Sequence, residues 1–95
     1  MNTNLIIENE VSGLQVSKIF ESGTTETLLI TLEKGKTFPT HTSPKDAFLV
    51  VIEGFINFHI ENKMIELERH EIYTFNKDVE HYVTANKNSK FLIIR

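Results

Sequence analysis

The chain contains no cysteine. That removes a disulfide framework, a thiolate nucleophile and any Cys-type zinc site from consideration. It also lacks a long apolar run: the longest, Phe48–Ile52 and Phe91–Ile94, are far too short to cross a bilayer. There is no excess of basic charge. The formal net charge is −3, and the lysines are scattered among Glu and Asp, so no cationic field is available to hold phosphates. Nucleic-acid binding is disfavoured on that ground. Met1-Asn2-Thr3-Asn4 shows neither the basic start nor the apolar stretch of a signal peptide, so the expected location is cytoplasmic, with no membrane partner.

What remains is an ordinary globular composition, 40% hydrophobic and 24% charged, over 95 residues. That length makes one domain, near the lower limit for a core without staples. No linker, repeat or low-complexity stretch divides it. Short alternating runs recur instead, broken by turn signals. Leu14, Val16 and Phe20 alternate with polar residues up to Gly23-Thr24; Leu28, Ile30 and Leu32 do so up to Lys34-Gly35. Ile56, Phe58 and Ile60 alternate up to Glu61-Asn62-Lys63, and His81, Val83 and Ala85 share one parity before Asn86-Lys87-Asn88-Ser89. A period of two with evenly spaced turns predicts an antiparallel β-sandwich or barrel. Residues 63–72 are ambiguous, because Glu, Lys, Met and Leu favour a helix while Ile65 and Leu67 alternate as in a strand. The neighbouring strands favour β.

Two runs are apolar on both parities, as in strands covered on both faces. A small barrel covers only the inward face, so Phe48, Val50 and Ile52 need a second cover. The expectation is a homodimer through these three residues. The alternative is that Leu5-Ile6-Ile7 folds over them within one chain.

Two stretches carry a family resemblance. Gly35-Lys-Thr-Phe-Pro-Thr-His41-Thr-Ser43-Pro-Lys-Asp-Ala47 continues to Gly54, and resembles the first cupin motif, G-x5-H-x-H-x3-E-x6-G, with Gly35, His41 and Gly54 in register. His70 to Ala85 resembles the second motif, G-x5-P-x-G-x2-H-x3-N. There His81 is kept, while His70, Asn76, Asp78 and Ala85 stand where the motif has Gly, Pro, Gly and Asn. Asn and Asp tolerate turn geometry, so the turn can still form. The resemblance implies an all-β, single antiparallel jelly-roll barrel of six to ten strands over residues 1–95, with the motifs at 35–54 and 70–85.

In metal-dependent members, three histidines and a glutamate hold a divalent metal. Carried over residue by residue, this chain keeps His41 and His81, has Ser43 for the second histidine, and has Ala47 for the glutamate. Two imidazoles fall short of the usual three protein ligands. A residual, weakly held divalent transition metal at His41 and His81 requires Asp46, water or a ligand to complete it. A one-residue offset on a strand turns Asp46 to the opposite face unless the turn bends back. His59 is expected to face outward and His70 to lie in a turn.

The expected site is a small pocket lined by His41, Ser43, Leu49, Val51, His81 and Val83, suited to a small polar or anionic molecule. Three functions stay open: a small-molecule binder without a complete metal site, a small cupin enzyme of dioxygenase or isomerase type, and a ligand-free dimerisation module with both histidines satisfied inside a plugged barrel.

Overall fold

The computed structural model describes residues 1–95. After a single helical turn, α1 (Leu5–Glu8), nine strands follow: β1 (Leu14–Ser22), β2 (Thr25–Leu32), β3 (Thr37–His41), β4 (Ala47–Glu53), β5 (Phe55–Ile60), β6 (Lys63–Glu68), β7 (Ile72–Phe75), β8 (His81–Ala85) and β9 (Ser89–Ile94). They form two antiparallel sheets, in the orders β1-β2-β9-β4-β7 and β3-β8-β5-β6. This is the expected all-β jelly roll. No helix is long and apolar enough to cross a membrane.

The ambiguous segment is strand over Lys63–Glu68. The cause is the turn before it: Glu61 and Asn62 both take positive φ, 51° and 60°, and Ile60 then pairs with Lys63. A two-residue turn with both central residues left-handed matches the twist of a hairpin. Pairing with β5 overrides the helical preference of the residues that follow. In β6, Leu67 is buried and Ile65 half-buried, while Met64, Glu66 and Glu68 are exposed.

The crossing from β4 in one sheet to β5 in the other runs through Gly54, at φ +96°. A Cβ there would lie 2.3 Å from Ser89 Oγ and 2.5 Å from Asn88 O, so only glycine fits. The core lies between the sheets and includes Ile30, Leu32, Leu49, Val51, Phe58 and Phe91. These residues share the parity that the alternating runs indicated.

Outside the core, the N-terminal segment covers part of the larger sheet. Thr31 faces Lys90, Leu29 faces Leu92, and Val50 faces Leu92 across the ladders, which puts them on one outer face with Phe48. Lys90 is 7% exposed there and donates from Nζ to the carbonyls of Ile6 (2.6 Å) and Ile7 (3.3 Å). Ile6 and Ile7 also share a groove with Ile52. Thus the backbone at Ile6 and Ile7 caps Lys90 at one end of this face, while the Leu5 and Ile7 side chains stay exposed, and Leu29 is buried without joining the core cluster. Phe48 and Val50, farther along, stay half-buried.

Candidate functional site

His41 ends β3 and His81 begins β8, and the two are directly paired across the ladder. Strand parity alone would not place His41 inward. Phe38 pairs with Val83 and His41 with His81, so three residues of β3 span two of β8. A bulge at Pro39-Thr40 absorbs the extra residue and turns both Phe38 and His41 to the interior. Proline, lacking an N–H, loses nothing at such an irregularity. The Phe38 and His41 rings stack at 4.1 Å as a result.

The two imidazoles meet edge to face with centroids 4.3 Å apart. His81 is 3% exposed and also packs against Phe58 (5.2 Å) and Phe75 (4.7 Å). Each ring is held by the same device. His41 Nδ1 lies 2.6 Å from Pro39 O, and His81 Nδ1 lies 2.9 Å from Val79 O. A carbonyl oxygen can only accept, so Nδ1 carries a proton in both rings, and in the neutral form of each ring Nε2 is the nitrogen left to accept. Burial pushes the His81 pKa below its ordinary value of 6.5; the bond to Val79 opposes this, and neighbouring His41 adds to it. His81 is therefore a neutral acceptor near pH 7.

Both histidines line a cavity of about 200 Å³ between the sheets. Thr42, Ser43 and Arg95 supply its other polar groups; Leu28, Ile30, Phe38, Phe75, Ile93 and Val16 supply its apolar wall. Arg95 lies outside both motifs, so the sequence does not mark it as a site residue. It follows Phe91 and Ile93 at the inward parity of β9, and that alternation was the available signal. Its main chain pairs with Glu26 in both directions (3.0 and 2.6 Å), and its Nε donates to Glu26 Oε1 at 2.8 Å. The Arg95 guanidinium, with Lys18 second, holds the Glu26 carboxyl below the usual carboxylate range.

Ser43 reaches the cavity but its hydroxyl is committed. It donates to Lys45 O at 2.6 Å and accepts from Lys45 N and Arg95 Nη1, each at 3.3 Å. One donor and two lone pairs are then all used. Ser43 sets a turn and orients Arg95.

Leu49, Val51 and Val83, expected as pocket residues, do not line this cavity. All three are in the packed core. Their inward parity is as read, but they lie farther along their strands, past the end where His41 and His81 sit. Asp46 is also displaced from its expected role. It is exposed, accepts the Lys77 N–H at 2.9 Å, and borders an outer groove with Phe48 and Ile94. The Ser43–Asp46 turn does not bend it back to the histidines. Ala47, at the glutamate position of the motif, is buried against the core. No group of three or more His, Asp or Glu side chains is placed to hold a metal ion. The family's metal therefore does not fit: two imidazoles without a third protein donor do not make the usual site.

His59 and His70 lie elsewhere. His59 stacks on Tyr82 at 4.1 Å on the outer face of the smaller sheet, with Nε2 3.2 Å from Thr84 Oγ1. His70 occupies a turn at φ +75°, and Asp78 another at +64°, each where the motif has glycine.

The chain is similar in fold to several solved structures. An RmlC-like cupin from Desulfovibrio desulfuricans has a TM-score of 0.86 at 20% identity, covering 99% of this chain and 93% of that one. A conserved protein of unknown function from Streptococcus pyogenes has a TM-score of 0.85 at 16% identity, covering 99% and 84%. A cupin-2 domain protein from Shewanella frigidimarina has 27% identity and a TM-score of 0.74, covering 94% and 84%. No curated protein matches the sequence significantly. The cupin domain model itself matches residues 28–94, from β2 to β9, and on that match the chain belongs to the cupin domain family.

Proposed function

We propose that this cupin binds a small polar molecule in the cavity beside His41 and His81, without a complete metal site. One observation carries the reading. Two histidines that line a partly apolar cavity have Nδ1 tied to backbone carbonyls, which in the neutral rings leaves each Nε2 as an acceptor. Fixed acceptors among apolar walls are the usual form of a small-ligand site. Tying one nitrogen of an imidazole orients the other.

The test is a methyl carbon NMR titration with a panel of short polyols, hydroxy acids and monosaccharides. At least one compound should shift Leu28, Ile30 and Ile93 at the cavity and leave Leu49, Val51 and Val83 still. The double variant His41→Phe/His81→Phe should lose that response. A panel that moves no cavity methyl, or a double variant that binds as before, overturns the reading.

A second reading concerns assembly. Phe48 and Val50 remain half-buried on the outer face, beside Leu92 and Ile94 and past the reach of the N-terminal turn. This supports pairing of that face with a second copy of the chain.

A further inference from the structure

Resting on that pocket reading, we infer that the ligand is a small hydroxycarboxylate, with its carboxylate on Arg95 and its hydroxyl on the histidine pair. The cavity carries two opposed chemistries. Arg95 only donates, whereas neutral His41 and His81, with their Nδ1 protons committed to backbone carbonyls, can only accept. A carboxylate is repelled by the Nε2 lone pairs and is accommodated by the guanidinium. A hydroxyl hydrogen has the opposite preference. One molecule satisfies both ends when it has an acceptor at one end and a donor at the other.

Arg95 has donors to spare. Of its five N–H groups, Nε serves Glu26 and one Nη1 hydrogen serves Ser43; the others have no protein partner. Its side chain is 19% exposed, and Leu28, Ile30, Phe75 and Ile93 complete the wall, so its field is weakly screened inside the cavity. Glu26 does not cancel it fully, because that carboxylate also serves Lys18 Nζ at 3.2 Å. Glu26 is not among the residues facing the cavity, and no acidic side chain is. A ligand ammonium would thus enter without a counter-charge, which disfavours amino acids and amines. At about 30 Å³ per water, the cavity has the volume of roughly seven waters, which suits an acid of a few carbons.

The probes are sodium L-lactate, lactamide and L-alanine, which share a three-carbon skeleton. The chain has two arginines, Arg69 and Arg95, so their Nε–H signals in a proton–nitrogen spectrum give one reporter and one internal control. Lactate should move the Arg95 signal saturably and leave Arg69 in place. Lactamide and alanine should bind at least tenfold more weakly. Arg95→Lys, which keeps the charge but not the planar fork, should weaken lactate about tenfold. If that variant does not fold, the three-probe comparison on the unaltered chain decides. Equal binding of lactate and lactamide overturns the carboxylate assignment while leaving the pocket reading intact, and tighter alanine binding overturns the choice of hydroxyl over ammonium. If none of the three moves a cavity signal, the hydroxycarboxylate proposal falls. The pocket reading falls only if the wider panel also fails.

Discussion

Between the two sheets, the end holding Leu32, Val51, Ile56 and Phe91 is filled with apolar side chains, whereas the end holding His41, His81 and Arg95 keeps about 200 Å³ open. The same strands build both. β2 runs from Leu28 at the cavity to Leu32 in the packed end, β8 from His81 to Ala85, and β9 from Phe91 outward to Ile93 and Arg95. The packed part and the open part are thereby separated along the barrel, and the proposed binding falls to the open one. A filled interior maximises dispersion contacts, and a hollow one forgoes some of them to admit a ligand.

The sharpest way to break this division is to mutate both ends. Phe91 is fully buried in the packed end, so Phe91→Ala should cost about 3–5 kcal/mol in urea unfolding. His41, half-buried at the cavity, should cost roughly 1 kcal/mol as His41→Ala, near the middle of the range for point mutants. Equal losses at the two sites would erase the distinction.

Titration sharpens the same contrast. His81 has its pKa lowered by burial, so the unfolded chain takes up its proton more readily than the folded one. The stability that follows is complete above the unfolded value, near 6.5, and is lost as pH falls toward the lowered folded value. The charged and titratable groups around it do not offset this: His41 adds to the lowering, Arg95 is cationic, and no carboxylate faces the cavity. Urea midpoints at pH 7.5 and 5.5 should drop more in the native chain than in His81→Gln. An identical drop in both would show that His81 is not the buried neutral group described.

The smallest effect on stability belongs to the outer face. Val50→Lys places an ammonium on a half-buried, outward position and should leave the fold intact while releasing monomer on size-exclusion chromatography. An unchanged dimer would show that Val50 is not at the interface; a native chain that runs as a monomer would remove the interface altogether.

Much of the fold was legible because strand parity is a simple code. The alternations at Leu28–Leu32, Ile56–Ile60 and His81–Ala85 each place the inward residues correctly. Residues 63–72 were not legible from propensity, since a two-residue turn at Glu61-Asn62 decided them by pairing. The site was half legible. Motif register singles out His41 and His81, which both line the cavity, but parity does not tell how far along a strand a residue sits, so it cannot show that the cavity opens beyond Leu49, Val51 and Val83. The bulge at Pro39-Thr40, which turns Phe38 and His41 to the same side, has no signature in the alternation. Arg95 lay in plain sight at the inward parity of β9. A cation there reads as the end of an apolar run until Glu26 and Ser43 are seen to hold it.

The proposed binding depends on two histidines that meet the cavity as acceptors. Long-range proton–nitrogen correlation of histidine-labelled protein at pH 8 reads this directly, because it distinguishes the two neutral tautomers. His41 and His81 should both be protonated at Nδ1 and bare at Nε2. Protonation at Nε2 in either ring would contradict the backbone bonds to Pro39 and Val79, and with them the acceptor wall on which the proposed binding rests.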